Sequence, residues 1–352
     1  MTLHLAVALD GAGWHPAAWR EPDARPTELF TARYWTDLVR EAQRGLLDLV
    51  TFEDSFGLPA RLDATLIAAA VAPRTSGIGL VPTVITTHTE PFHIAKAIAT
   101  LDYASTGRAG VRVRVDPDHA EHIGRRAPLD RTDLLDEAAD YVEVVRRLWD
   151  SWEDDAEIRD TATGRFVDRD KLHYIDFAGR WFDVKGPSIT PRPPQGQPLV
   201  FALAHAAPVY RLAERAADVV LVTPRDADDA AAITAQITGV PHVFGELTVF
   251  MDGADRLARL NDRAELSTDT AVFTGSPAEL ADLLLTWRQH GLTGFRLRPG
   301  TLPHDLTAIT RGLVPELQQR GVFRRSYENG TLRDRLGLPR PENRYAATQG
   351  AR

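Results

Sequence analysis

Short β-branched runs and longer amphipathic stretches alternate along this chain. The runs IGLVPTVI (78–85) and AGVRVRV (109–115) have the composition of strands. The stretch between them, PFHIAKAIATLDYA, has apolar residues at the spacing of a helix. Two strands joined by a helical crossover are expected to lie parallel and to be covered on both faces. Residues 78–115 therefore predict one strand, helix, strand unit of an α/β protein.

The same alternation is found eight times along the chain. Strict repetition of strand and helix is typical of a closed (β/α)8 barrel, the TIM barrel, and not of an open sheet. The predicted strands are LHLAVALD, LLDLVTFED, IGLVPTVI, AGVRVRV, PLVFALA, DVVLVTP, GELTVFMD and GFRLRPG. The predicted helices cover about 28–45, 63–73, 91–105, 132–150, 207–217, 226–238, 276–290 and 305–320.

One insertion interrupts this rhythm between the fourth helix and the fifth strand, at about 151–197. It is too aromatic for a disordered segment and too rich in Gly and Pro for a long helix, so we expect it to wrap the barrel or to cover its mouth. An irregular tail is expected at about 325–352. The whole chain, 1–352, is predicted to be a single barrel domain.

The fourth predicted strand has charges where a covered strand should be apolar. Its alternation places three valines on one face and Arg112, Arg114 and Asp116 on the other. Burying a charge is costly unless it is paired and hydrogen-bonded. The polar face is therefore expected to line a wet cavity, to contact a ligand or to take part in a network of ion pairs.

Composition narrows the classes of function. The net charge of −8 comes from acidic and basic residues mixed along the chain, without the basic stripe of a nucleic-acid-binding protein. The absence of cysteine excludes disulfides, thiolate metal sites and a cysteine nucleophile. No stretch approaches about 18 consecutive apolar residues, and the N-terminus lacks the features of a signal peptide. We expect a cytoplasmic protein that is not embedded in a membrane.

Candidate site residues follow from position, because active sites of (β/α)8 barrels lie at the C-terminal ends of the strands. Asp54 ends the second predicted strand, where its carboxylate either contacts a ligand, caps a helix or forms an ion pair. His15 and His88 lie beside strand ends, either as proton donors and substrate contacts or as hydrogen-bonded structural residues. The strand-end candidates are Asp10, Trp14, His15, Glu53, Asp54, Ser55, Thr83, Thr86, Thr87, His88, Arg112, Arg114, Asp116, His205, Thr223, Arg225, Asp252, Arg296 and Arg298.

Several motifs of other enzyme classes do not occur. There is no HExxH-type spacing of metal ligands, no GxSxG, no Walker loop and no GxGxxG after a strand. A metal site, ATP hydrolysis, a Rossmann-type dinucleotide site and a serine-hydrolase mechanism all lose support.

Several long segments, in order, resemble one known family. They include HPAAWREPDARP, RTSGIGLVPTVITTHTEPFHIAKAIATLDYASTGRAG, YVEVVRRLWDSWEDDA, GRWFDVKGPSITPRPPQGQPLV and GSPAELADLLLTWRQHGLTGF. The chain resembles the bacterial luciferase-like, flavin-dependent monooxygenases, in the branch with nitrilotriacetate, dibenzothiophene sulfone and long-chain alkane monooxygenases. The likeness runs nearly end to end.

The resemblance implies a luciferase-like (β/α)8 barrel that takes reduced FMN from a separate NAD(P)H-dependent flavin reductase. It implies that one oxygen atom of O2 is transferred to a small organic substrate, and it suggests a homodimer or a larger assembly. Carried over by position, Asp54 would face the edge of the flavin ring and Thr83 would lie near the ring. Thr86, Thr87 and His88 would border the pocket.

The chain departs from the family pattern at three parts of the cofactor site. Arg112 stands where the family has a flavin-facing asparagine, and Leu135 where it has a tyrosine that reaches toward the phosphate. The loop 203–208, with His205 and Pro208, replaces a small glycine and serine loop whose N–H groups hold the phosphate. Proline has no N–H to donate.

Three interpretations of these departures stay open. Arg112, Arg114 and His205 either compensate by adding positive charge near the phosphate, or bind a different anion, or pair with Asp54 and Asp116. Three functions stay open as well: a flavin-dependent monooxygenase with an altered cofactor site, a homologue or subunit without functional flavin binding, and a deazaflavin-dependent oxidoreductase.

Overall fold

A computed structural model describes residues 3–57, 60–87, 89–119, 123 and 129–346. Eight parallel strands close a barrel, which confirms the predicted (β/α)8 fold. Each strand pairs with the next one along the chain, and the last pairs with the first. The barrel strands are β1 (His4–Leu9), β2 (Leu49–Phe52), β3 (Gly79–Ile85), β4 (Gly110–Arg114), β5 (Leu199–Leu203), β6 (Val219–Val222), β7 (His242–Val249) and β8 (Gly294–Pro299).

Helices follow the strands on the outside of the barrel, as the apolar spacing predicts. The predicted N-terminus at Ser276 is confirmed, since Ser276 and Glu279 form a capping box around Pro277. The helices are α1 (Ala32–Arg44), α2 (Ala64–Val71), α3 (Pro91–Ser105), α4 (Arg131–Asp150), α5 (Ala207–Ala216), α6 (Ala227–Thr234), α7 (Pro277–Arg288) and α8 (His304–Ala308, continued by a π-helical turn Ile309–Leu313 and by Val314–Gln319). No helix within the described ranges has both the length and the apolar character needed to cross a bilayer.

Two elements between β7 and α7 were not predicted. A helix, Ala254–Asn261, is followed by a short strand, Ala271–Phe273, which pairs with the upper half of β7. The lower half of β7 pairs with β6, which ends early, so the short strand takes the place of β6 at the barrel mouth. This replacement brings the residues just before it to the C-terminal ends of the strands.

The lower half of the barrel is apolar and is closed by the tail of the chain. Leu332 and Leu336, from the helix Leu332–Arg335 and the residue after it, pack against inward-facing side chains such as Leu49, Val81 and Phe244. Both leucines are fully buried, and burial of such a side chain stabilises a fold by about 1.5–3 kcal/mol. Above this level, toward the mouth, the inward-facing residues include threonines and charged side chains, such as Thr51, Thr83, Arg112 and Arg296.

The segment 151–197 forms two small antiparallel hairpins, Glu157–Asp160 with Arg165–Val167 and Phe177–Ala178 with Asp183–Val184. It packs along α4, where Trp181 donates a hydrogen bond to Asp136 at 3.0 Å. The described contacts therefore hold Trp181 against the outside of the barrel. The extent of the domain, 1–352, stays a prediction.

Candidate functional site

A cavity of about 530 Å3 opens at the C-terminal ends of the strands. This is the end at which (β/α)8 barrels hold their active sites, and the volume lies within the usual range of ligand pockets, about 300–1,000 Å3. Side chains of β4, β5, α4, α5 and the loop before Ala271–Phe273 form its walls. Apolar side chains form about half of those walls, among them Val113, Val115, Leu134, Leu203 and Val209.

A continuous series of alternating charges lies across the barrel at the base of this cavity. We call it the arginine–carboxylate chain: Arg112, Glu53, Arg296, Glu246, Arg298 and Asp269, in which each side chain is ion-paired with the next. Threonines satisfy further donors, because Arg112 Nε bonds Thr83 Oγ1 at 3.1 Å and Arg296 Nε bonds Thr51 Oγ1 at 2.8 Å. The chain has three positive and three negative groups.

Strand register explains how these side chains meet. On β8, residues 296 and 298 both point inward because Leu297 between them points outward. Arg296 lies opposite Glu246 of β7, and Arg112 lies opposite Thr83 of β3. Buried charges are tolerated only when they are paired and hydrogen-bonded. The alternation of arginines and carboxylates in the arginine–carboxylate chain meets that condition.

Electrostatics keeps the central carboxylate ionised. Burial alone would raise the pKa of Glu53, but the guanidinium groups of Arg112 and Arg296 outweigh burial and hold that pKa at about 2. Glu53 is therefore an anion throughout the physiological pH range. Its charge holds both arginines in place.

Trp14 covers Arg298, the last arginine of the arginine–carboxylate chain. The guanidinium of Arg298 lies 4.7 Å from the centroid of the Trp14 ring, within the range of cation–π attraction. The backbone N–H of Trp14 donates to the carbonyl of Pro299 at 2.9 Å, which holds the loop after β1 onto the end of β8. That loop needs a glycine at Gly13, where φ is +129° and a Cβ would lie 2.5 Å from the Gly300 carbonyl oxygen.

Two further arginines line the cavity without an acidic partner among the described residues. Arg114 donates one hydrogen bond, to the backbone carbonyl of Asp54 at 3.0 Å. Arg131 is exposed at the first residue of α4, where Asp130 caps the helix. Within the described ranges neither guanidinium forms an ion pair with a carboxylate.

The predicted cofactor-binding residues are distributed around this arrangement. Arg112, Arg114 and His205 line the cavity, and His205 contacts Thr223 at 3.1 Å and Asp269 at 3.3 Å. Thr83 lies beneath the cavity as a partner of Arg112, and Thr86 donates to the carbonyl of Arg114 at 3.2 Å. These contacts favour the interpretation of Arg112 as part of an ion-pair network, but its partner is Glu53 and not Asp54 or Asp116 as expected.

The Asp54 carboxylate turns away from the cavity and accepts the backbone N–H groups of Ser55 at 2.8 Å and Ala64 at 3.0 Å. Burial raises the pKa of Asp54, although these two hydrogen bonds oppose the rise. The carboxylate thus connects the end of β2 to the start of α2. Contact with a flavin ring is not part of this geometry and stays a prediction.

Of the two histidines predicted to be catalytic, His15 and His88, the structure describes only His15. His15 is buried, its Nε2 bonds Asn261 Oδ1 at 3.0 Å, and its Nδ1 accepts the N–H of Ala17 at 3.0 Å. Burial lowers the pKa of His15, and the residue does not line the cavity, which favours the structural interpretation. His88 lies outside the described residues.

Sequence reasoning missed Glu246, Asp269 and Arg131. Glu246 has a usable signal, because alternation in GELTV places it on the inward face with Thr248. Asp269 precedes the unpredicted strand Ala271–Phe273, and Arg131 begins a helix, so neither has a periodic pattern that points to a cavity.

The start of α5 differs from a phosphate-binding helix N-terminus. The N–H groups of Val209 and Tyr210 both donate to the carbonyl of Ala206, at 2.9 and 3.1 Å, and Pro208 has no N–H. Few backbone donors therefore remain at this helix for an anion.

Comparison with known proteins identifies the family. The family profile "Luciferase-like monooxygenase" matches residues 12–241. N-acetyl-S-(2-succino)cysteine monooxygenase of Bacillus subtilis (strain 168) is 30% identical, with 98% of each chain covered, in an alignment of 433 positions. One of the subunits of pristinamycin IIA synthase from Streptomyces pristinaespiralis is 32% identical over 316 positions, which cover 89% of this chain and 91% of that protein.

Among solved structures, long-chain alkane monooxygenase has the same fold, with a TM-score of 0.89, 22% identity and 99% of each chain covered. These comparisons confirm the predicted resemblance and the predicted class of enzyme, a flavin-dependent monooxygenase that acts on small organic molecules. The chain belongs to the luciferase-like monooxygenase family.

Proposed function

We propose that this protein binds reduced FMN in the 530 Å3 cavity and uses O2 to oxygenate a small organic substrate. One observation carries the proposal: the cavity lies at the catalytic end of a luciferase-like barrel and combines apolar walls with a rigid base of N–H donors. When bound, reduced flavin supplies the two electrons that activate O2, with one oxygen atom entering the substrate and the other leaving as water.

The lining fits a flavin ring in size and chemistry. Valines of β4 and leucines of α4 and β5 offer apolar surfaces to a flat ring. At the base, Arg298 Nε is buried and has no hydrogen-bond partner among the described residues, so an acceptor on a bound ligand would satisfy it. The carbonyl oxygens and ring nitrogens of the flavin edge are acceptors of that kind.

The arginine–carboxylate chain gives this base its function in the proposal. Arg112 and Arg298 are each held by a buried carboxylate and cannot swing away to follow a ligand. Donors that are fixed before binding favour one orientation of the ring and cost no reorganisation during the reaction. Trp14 covers Arg298 and limits the access of water from the side of β1.

Reduced FMN must come from elsewhere, because the chain has no GxGxxG motif after a strand for a nicotinamide dinucleotide. We propose a separate NAD(P)H-dependent flavin reductase as its source. A reduced deazaflavin is the alternative cofactor and is included as an arm of the test.

Anaerobic titration of the purified protein with reduced FMN, and in parallel with a reduced deazaflavin, tests this function. We expect saturable binding of reduced FMN, and consumption of O2 with oxidation of the flavin once oxygen is admitted. In Arg112→Ala the affinity should fall more than about tenfold, since a donor fixed at the base is lost. Absence of binding at millimolar reduced FMN would rule the proposal out.

A second candidate function has its own support. The B. subtilis relative aligns over 433 positions against 352 residues here, so several dozen of its residues have no counterpart in this chain. The pristinamycin IIA synthase subunit aligns over 316 positions, fewer than the length of this chain. We propose, as the alternative to a homodimer, that this chain is the shorter subunit of a two-chain enzyme.

Light scattering of the purified chain, alone and mixed with a longer family member from the same genome, separates the two. The two-chain function predicts a complex of one copy of each and weak flavin binding by the short chain alone. Strong flavin binding and turnover by the short chain alone would contradict it.

A further inference from the structure

Two arginines of the cavity lack acidic partners among the described residues, which sets them apart from the other charges at the barrel mouth. Arg112, Arg296 and Arg298 are neutralised within the arginine–carboxylate chain. Arg114 and Arg131 line the same cavity, and within the described residues neither forms an ion pair with a carboxylate.

The carboxylates near them are already engaged. Asp10 lies 3.5 Å from Arg61, and Asp116 pairs with His119 at 2.9 Å. The Asp54 carboxylate is occupied by two backbone N–H groups. Asp10 and Asp116 attract the guanidinium of Arg114 at longer range, but neither forms an ion pair with it.

The helix dipole disfavours a cation at the position of Arg131, where Asp130 and Asp133 are the acidic residues of the same turn. Arg131 occupies the first residue of a 20-residue helix, where the partial positive charge of the helix dipole repels a cation. A bound anion reverses this effect, because both the dipole and the guanidinium attract it. Arg114 stands at the end of β4, on the same cavity, with most of its N–H donors unused.

We propose that Arg114 and Arg131 form a binding site for a dianionic oxyanion group, which we call the two-arginine site. Guanidinium groups bind phosphates and carboxylates through paired N–H donors, so a phosphate monoester and a dicarboxylate both fit this chemistry. Two sources follow: the phosphate of FMN, in place of the backbone donors that α5 lacks, or a substrate with two carboxylates. Only the first source rests on the proposed function.

Two binding measurements on the purified protein test the site. The first compares reduced FMN with reduced riboflavin under anaerobic conditions, because the ratio of their affinities isolates the contribution of the phosphate. The second measures inorganic phosphate and succinate binding by calorimetry without flavin, so it does not depend on any oxygenase activity. Both are made with wild type, Arg114→Gln, Arg131→Gln and Arg211→Gln.

Arg211 is the matched control, since it is an exposed arginine of α5 that does not line the cavity. We expect each cavity variant to lose about tenfold in affinity for the dianion, as for one charge-assisted hydrogen bond, and the control to change less than about twofold. Arg131 is exposed, so its replacement should leave the fold intact even if replacement of Arg114 does not.

The outcomes assign the source or refute the site. A fall in the FMN to riboflavin ratio in both cavity variants assigns the site to the cofactor phosphate. An unchanged ratio with weakened succinate binding assigns it to a substrate carboxylate. If neither the ratio nor the binding of phosphate and succinate responds to Arg131→Gln by more than about twofold, the two-arginine site does not exist. Failure of flavin binding alone, with phosphate or succinate binding intact, refutes the proposed function and leaves the site standing.

Discussion

Removing the charge of Glu246 should destabilise the barrel more than any surface substitution. Its carboxylate is fully buried and bridges Arg296 and Arg298, so Glu246→Gln leaves three buried arginines facing two carboxylates. Removal of one partner from a buried ion pair typically costs about 3–5 kcal/mol. Since both arginines keep one other carboxylate, Glu53 or Asp269, we expect a loss near the lower end of that range.

Glu143 offers a matched control because it also bridges two arginines, Arg147 and Arg344, but on the surface with 38% of its side chain exposed. Exposed pairs contribute about 0–1 kcal/mol, so Glu143→Gln should change the free energy of unfolding by less than about 1 kcal/mol. Urea denaturation measures both variants, and urea, being uncharged, does not screen the ion pairs.

The expected result for Glu246→Gln is a lower urea midpoint with an unchanged m value, and a melting temperature lower by roughly 4 °C, at about 1.4 °C per kcal/mol for a chain of 352 residues. A loss below about 1 kcal/mol, equal to that of Glu143→Gln, would refute the reasoning. It would mean that the buried arginines tolerate the loss of a carboxylate partner. The ion pairs of the arginine–carboxylate chain would then not be what holds these side chains in place.

Two further predictions concern acid and the lower barrel. Because the pKa of Glu53 is depressed from its ordinary 4.5 to about 2, its contribution to stability is present above pH 4.5 and is lost as the pH falls toward 2. Urea unfolding of Glu53→Gln at about pH 6 and about pH 3 should therefore show a smaller loss of stability on acidification than wild type, and an equal loss would contradict the depressed pKa. Leu332→Ala should cost about 2–5 kcal/mol in the same assay, against less than about 0.5 kcal/mol for Leu66→Ala, whose side chain is 70% exposed. Similar values for the two leucines would show that the tail does not seal the barrel.

The barrel could be predicted from sequence because the patterns that specify its strands and helices involve residues close together in the chain. Apolar spacing of period two in runs such as AGVRVRV and of period 3.6 in runs such as PFHIAKAIATLDYA is determined by neighbours in the chain. The same short run also predicts that the charged face of β4 needs partners. Arg112 has these partners in Glu53 and Thr83.

Which charged residues pair with each other could not be predicted in this way, because the partners lie far apart in the sequence. Glu246 meets Arg296 across 50 residues, through the pairing of β7 with β8, and nothing in either run names the other. Asp269 reaches the cavity only because a short strand replaces β6 at the mouth. His15 shows the opposite difficulty, since a loop position beside a strand end suggests chemistry while its actual contacts, with Asn261 and Ala17, are made away from the cavity lining.

Closure of the lower barrel by Leu332 and Leu336 has a consequence for biosynthesis. Leu49 and Val81 of this apolar layer belong to strands made early and Phe244 to a later one, yet the seal is made near the end of translation. Leu336 follows the end of β8 at Pro299 by 37 residues, so at about 5–20 residues per second the nascent barrel carries an open apolar base for about 2–7 s. The finished fold is thus reached after synthesis of the tail, and during that interval this surface is where chaperones would bind and where aggregation would begin.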